Sequence, residues 1–138
     1  MNPPLAILWP VVGHLALVQF LFVMVSLKRL RAAKEGHAID RLAFGDEPEA
    51  SRRWARNLDN QFQVPLLFHI LVALMFATQT GGWIEVALAW AFLLGRLAHT
   101  AVQVAGDDVR LRGQVFTVNY VAVTLMWLVW LARIGNLL

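Results

Sequence analysis

The sequence predicts an all-α integral membrane protein: a single domain, residues 1–138, built as a bundle of four transmembrane helices. Three observations carry that prediction. Of 138 residues, 59% are hydrophobic and only 15% charged, whereas soluble domains average roughly 45–50% and about 25%. The apolar residues gather in four runs, each close to the roughly 20 residues that cross a bilayer's hydrocarbon core. Ten of the 12 basic residues lie in or beside two connections on the same side of those runs. With a mean hydropathy of +0.58, a soluble monomer and a disordered chain are both excluded. The absence of cysteine excludes a disulfide framework, thiolate metal sites and a cysteine nucleophile.

The first span covers about 5–27 and is broken only by Pro10, Gly13, His14, Gln19 and Ser26. Its amino end, MNPPLAILWP, lacks a basic n-region, and the run exceeds the about 7–15 residues of a signal sequence, so a retained helix is expected. His14 and Gln19 are five residues apart and point roughly 140° away from each other. Each is expected to hydrogen-bond a neighbouring helix. The loop 28–52 mixes Lys28, Arg29, Arg31, Lys34, Arg41 and Arg52 with Glu35, Asp40, Asp46, Glu47 and Glu49. Gly36, Gly45 and Pro48 predict turns there rather than a second domain.

The second span covers about 53–80, its helix starting near Ser51 as amino cap. Pro65 predicts a kink where polar residues give way to apolar ones. Asp59 is placed to pair with Arg56 at i, i+3. His69, alone on an apolar helix, reads as a structural hydrogen-bonding group. The turn 79–82 leads into the third span, 83–105, where Glu85 is expected to be solvated at the interface. Arg96 lies roughly 20 Å along that helix from Trp83 and should face the bundle interior or a water-filled cavity. The loop 106–113 holds Asp107 and Asp108, expected to cap or neutralise, with Arg110 and Arg112. The fourth span covers about 114–135. Trp9, Trp83, Trp90, Trp127 and Trp130 lie in the spans, several at interfacial depth, and Met24, Met75 and Met126 read as packing.

The positive-inside rule puts loops 28–52 and 106–113 in the cytoplasm and both termini outside. The expected location is an integral membrane protein of a bacterial inner membrane, both termini periplasmic. Lys28, Lys34, Arg41 and Arg52 read as topology signals that reach lipid headgroups.

Two stripes have a different character. Arg53, Arg56, Asn60 and Gln63 are three, four and three residues apart, which puts them on one helix face. Arg96, His99 and Gln103 share a face of the third span in the same way. Amides and a histidine carry no topological signal, and here they fall in register with arginines on two helices. Arg29, Arg31, Arg110 and Arg112 complete a cationic ring. A donor-rich, positive cavity suits a small molecule with several carboxylates and amides, and an apolar co-substrate can reach it through the bilayer. Conjugation, isomerisation or peroxide reduction through an arginine-stabilised thiolate fits that cavity, with the ligand supplying the sulfur. No phosphate loop, paired HExxH histidines or GxSxG elbow occurs. The basic loops lack the aromatics of a nucleic-acid platform, so neither metal nor nucleic acid is expected.

At these residues the sequence resembles the MAPEG family, the membrane-associated proteins in eicosanoid and glutathione metabolism. Arg56-Asn57-Leu58-Asp59-Asn60-Gln61-Phe62-Gln63-Val64-Pro65 resembles its RxxxNxxE signature followed by proline. Gly95-Arg96-Leu97-Ala98-His99-Thr100 is similar to a glutathione-contacting segment of the family's prostaglandin-synthase branch. Lys28-Arg29-Leu30-Arg31 resembles that branch's basic end of span one. The resemblance implies a homotrimer with glutathione between subunits near the cytoplasmic face. The implied ligands are Arg29, Arg53, Arg56, Asn60, Gln63, Arg96, His99 and Gln103. Arg112 falls on the catalytic arginine and would stabilise the glutathione thiolate. Four positions depart from the pattern: Gln63 replaces a glutamate that accepts the ligand's ammonium, Gln103 a tyrosine, and Gly113 and Phe116 a serine and a tyrosine. The brevity of the chain suggests a bacterial-type member.

The expected function is therefore a glutathione-dependent membrane transferase or peroxidase acting on lipophilic electrophiles. The alternative is a non-catalytic trimer holding an anionic lipid or a partner helix in the same pocket. A channel or transporter subunit is a third reading, disfavoured because no span carries acidic groups at mid-depth for a cation path.

Overall fold

The computed structural model describes residues 2–38, 47–106 and 108–136. The expectations placed on Asp40, Arg41, Gly45, Asp46 and Asp107 fall outside those residues. A short α1 (Pro3–Ala6) is capped by Asn2, whose side chain accepts from the Leu5 backbone N–H at 3.3 Å. It is followed by α2 (Leu8–Lys34), α3 (Glu49–Asp59), a 3₁₀ turn (Asn60–Phe62), α4 (Val64–Ala77), α5 (Trp83–Ala105) and α6 (Val109–Ile134). The helix pair α3–α4 acts as one span with a break, so four helical segments are long and apolar enough to cross a membrane.

The break at the 3₁₀ turn lies where the proline predicts it. Pro65 occupies the first turn of α4, where its missing N–H costs nothing, and Gln63 before it leaves helical geometry (φ −97°, ψ −105°). The start of α3 differs from expectation. The helix begins at Glu49, with Pro48 in the cap position, and Ser51 caps nothing. The Ser51 hydroxyl instead donates to the buried Glu47 carboxylate, which Arg29 also engages. Because the helix starts two residues earlier, Ser51 lies within its first turn rather than at the cap, and its O–H is free to donate to the charged acceptor.

The exterior of the bundle is greasier than parts of its interior. Trp9, Phe20, Leu66, Trp83, Leu94 and Leu128 are exposed, while His14, Asn57, Gln61, Glu85, Arg96, His99, Gln103 and Asn119 are buried. Lipid favours this arrangement, because apolar side chains lose nothing by facing acyl chains and polar ones must find partners inside. One apolar core lies toward the end that carries both termini, around Phe68, Leu71, Met75, Phe92, Val123 and Met126. A smaller one joins α2 to α3 through Leu17, Leu21, Val25 and Leu58.

Close helix approach depends on small residues. A Cβ on Gly95 would come within 2.6 Å of Asn119 Oδ1, and one on Gly13 equally near Leu93 Cδ2. The glycines thus let α5 meet both α6 and α2 at short range. Two expectations fail in this frame. Glu85 is fully buried rather than solvated, clasped by Arg133 through Nε (2.8 Å) and Nη2 (3.2 Å) and accepting from the Gly82 N–H. A residue 48 positions away supplies the partner, which no local spacing could reveal. Gln19 is exposed and, among the described residues, bonds no neighbouring helix.

Candidate functional site

The two polar stripes meet at the loop end of the bundle. Asn60 Nδ2 donates to Gln103 Oε1 at 3.1 Å, tying the 3₁₀ turn to α5. The break in the α3–α4 segment makes this possible, because unwinding at 60–63 swings the amides of Asn60 and Gln63 toward α5 and α6. Between them opens a cavity of about 480 Å³, within the roughly 300–1,000 Å³ usual for small-molecule sites.

Six of the nine residues singled out in the sequence line this cavity: Arg56, Asn60 and Gln63 on one wall, His99 and Gln103 on α5, and Arg112 on α6. Asp59, Val109, Gly113 and Phe116 complete the lining. The cavity therefore combines two guanidiniums, an imidazole, three amides, one carboxylate and an apolar edge on α6. The α6 amino end is set by Asp108, whose Oδ1 caps the Leu111 N–H at 3.0 Å as expected. Arg112 follows one residue later, at the rim. His99 is buried at 2% exposure and its Nδ1 has no hydrogen-bond partner, a polar atom left free beside the cavity.

Three of the nine lie elsewhere. Arg29 is bound to Glu47, Nε to Oε1 at 2.8 Å. Burial pushes the Glu47 carboxyl up, but hydrogen bonds from Arg29 and Ser51 outweigh it and hold the group below its ordinary value. Arg53 bonds Glu49 (Nε to Oε1, 3.2 Å) and lines a second cavity with Lys28, Trp54 and Val104. Arg96 faces the bundle interior, fully buried, behind the first cavity. Its Nε donates to Gln61 Oε1 (3.1 Å) and its Nη2 to the Asn60 carbonyl (3.2 Å), while Nη1 has no partner. Arg96 thereby braces the backbone of a cavity residue.

That bracing belongs to a network that the stripe pattern did not contain. Gln61 Oε1 also bonds His14 Nε2 at 3.0 Å, and His14 Nδ1 bonds His69 Nε2 at 3.0 Å. Gln61 Nε2 donates to Asn57 Oδ1 at 2.8 Å, which fixes the amide's orientation, and Asn57 Oδ1 also accepts from Thr100 Oγ1. His14 and His69 thus fill the interhelical role expected of them, with each other as partners. Asn57, on α3, and Gln61, in the 3₁₀ turn, are four residues apart, a spacing present in the sequence but without the arginines that mark the outer stripe. Asn119, fully buried against Gly95 with Oδ1 unpartnered, gave no signal in the sequence. The expected Arg56–Asp59 ion pair does not form among the described residues. Nor does any group of three or more His, Asp or Glu among them have the arrangement to hold a metal ion.

No curated protein and no solved structure gives a significant match to the chain. The sequence model of one family does, over residues 7–132, a stretch that takes in the first three spans, all but the last two residues of the fourth, and every cavity-lining residue. On that match, and on a four-helix membrane bundle whose polar stripes converge on one cavity, the chain belongs to the MAPEG family.

Proposed function

We propose that the protein is a glutathione-dependent membrane transferase or peroxidase acting on lipophilic electrophiles. The observation that carries this reading is the composition of the cavity: Arg56 and Arg112 with three amides on its walls, and Val109 and Phe116 at an apolar edge. Glutathione fits that donor set. The Arg56 guanidinium matches a carboxylate bidentately, the amides suit peptide groups and the second carboxylate, and the free His99 Nδ1 offers one more polar contact.

Bound glutathione would supply the thiol that the cysteine-free chain lacks. Arg112 holds negative charge at the rim and favours a thiolate over a thiol there. Val109 and Phe116 give an electrophile dissolved in the bilayer an apolar approach to the same place. Asn60, Gln63, Gln103 and His99 hold the peptide and Arg96 braces Asn60 from behind, while Arg29 and Arg53, engaged by Glu47 and Glu49, lie outside this cavity. A homotrimer with the site completed by a neighbouring subunit, and a bacterial inner-membrane location with loops 28–52 and 106–113 cytoplasmic, complete the proposal. The exposed cavity wall and the one-sided basic residues support them.

The test is calorimetry of the detergent-solubilised protein with millimolar glutathione, followed by turnover of a lipophilic aryl halide or hydroperoxide. Arg112→Ala is expected to abolish turnover while assembly is retained. Absence of glutathione binding ends this reading. A second reading, a non-catalytic trimer holding an anionic lipid or partner helix, draws support from the uncharged Gln63 and Gln103 in the cavity. Native mass spectrometry separates the two: a co-purified lipid favours the second, a tripeptide the first.

A further inference from the structure

The cavity at the loop end is not uniformly cationic. Asp59, on the last turn of α3, is the one carboxylate that lines it among the described residues. The i, i+3 spacing offers Arg56 as a partner, and elsewhere on the same helix such pairs do form: Glu49 holds both Arg52 and Arg53. Asp59, one methylene shorter, makes no ion pair and no side-chain hydrogen bond among the described residues and stays exposed. Its lone pairs are available to a donor from outside the chain.

The wall therefore presents two separated positive groups, Arg56 and Arg112, and one free negative group, with the Asn60, Gln63 and Gln103 amides among them. A purely anionic ligand gains from the arginines but is opposed by Asp59. A zwitterion, with carboxylate and ammonium on one skeleton, satisfies both signs. Gln63, one turn further along the same wall, can accept a hydrogen bond but brings no charge. Asp59 is thus the only charged acceptor the described cavity offers an ammonium.

We infer that the cavity selects an amino-acid-like, zwitterionic end of its ligand, and that Asp59 is the specificity-determining acceptor of the ammonium group. This rests on the glutathione reading, in which the ammonium is that of the γ-glutamyl residue. It distinguishes the ligand from its desamino counterpart and from an anionic lipid headgroup.

The experiment is calorimetry on the full chain in detergent with glutathione and with desamino-glutathione (glutaryl-cysteinyl-glycine), which keeps both carboxylates and the thiol. Wild type is expected to prefer glutathione by about tenfold, the usual scale of one charge-assisted hydrogen bond. Asp59→Asn should lose that preference, binding glutathione about tenfold more weakly and the desamino peptide no less well. Asp59→Glu should retain a preference. Because Asp59 is exposed and makes no ion pair or side-chain hydrogen bond among the described residues, thermal unfolding of Asp59→Asn should match wild type. Equal binding of the two peptides by wild type, or an undiminished preference in Asp59→Asn, overturns the assignment of Asp59 alone. Failure of wild type to bind either peptide removes both this assignment and the glutathione reading.

Discussion

Near the end of the bundle that carries both termini, Phe68 stacks on Phe92 with ring centroids 4.2 Å apart, and Met75 and Met126 are completely buried. At that end the buried charge, Glu85, has its counter-ion in Arg133 and a backbone N–H besides. Toward the loop end the helices meet through Asn57, Gln61, Thr100 and Asn119, and the buried charge, Arg96, has amide and carbonyl partners but no carboxylate. All three buried polar atoms left without partners among the described residues, on Arg96, His99 and Asn119, lie in this half. One half is satisfied and close-packed. The other holds donors in reserve beside a cavity, the condition a binding site requires and a purely structural core avoids.

The contrast can be broken at several points, with effects of decreasing size. Glu85→Ala should cost most, about 3 kcal/mol, because it strands Arg133 and uncaps α5 together. Thermal unfolding in detergent reads it, and a cost below 1 kcal/mol would mean that the Glu85–Arg133 pair is ornamental. Gly95→Val should come next, at about 2 kcal/mol, since the new side chain collides with Asn119 across the α5–α6 contact. Adding Asn119→Ala should recover part of that loss. If it does not, the strain lies elsewhere.

Arg96→Met should leave stability within about 1 kcal/mol of wild type or raise it, since it removes a buried cation without a counter-ion. Glutathione affinity should nonetheless fall, because Asn60 loses its brace. A large loss of stability would show that the Arg96 contacts hold the loop end together. The smallest effect concerns Glu47. Its carboxyl is held below the ordinary value in the fold, so its stabilising contribution is complete above the unfolded value and fades as pH falls through the lowered one. With Arg29 partly exposed, the contribution is about 0.5 kcal/mol. Glu47→Gln should flatten the acid limb of the stability–pH curve, and an unchanged limb would show that the pair is not formed in solution.

How far the sequence could be read follows from the range of the forces involved. Hydropathy runs, the break before Pro65 and the i, i+3/i+4 stripes are local, and they gave the four helical spans; the helix ends, at Lys34, Glu49 and Val109, extend several residues into the expected loops. The convergence of Asn60 with Gln103 followed from two stripes in register, because antiparallel spans joined by short connections bring matching depths together. Partner choice did not follow. Arg29 takes Glu47 and Arg133 takes Glu85, because a carboxylate removed from water binds whichever counter-group the packing delivers, whereas the exposed Arg56 and Asp59 stay solvated and apart. Local spacing names only the nearest candidate.

From composition and periodicity alone come four spans and the face on which the arginines lie, since a bilayer enforces hydrophobic length and internal backbone bonding on any chain that crosses it. Only the packed bundle decides which of those polar groups brace one another and which stay free. That choice is made by helix approach distances, set at Gly13 and Gly95, that bring together residues dozens of positions apart. It turns Arg96 inward, leaves Arg56, Asp59 and Arg112 around the cavity, and so separates the residues that hold the fold from those available to a ligand.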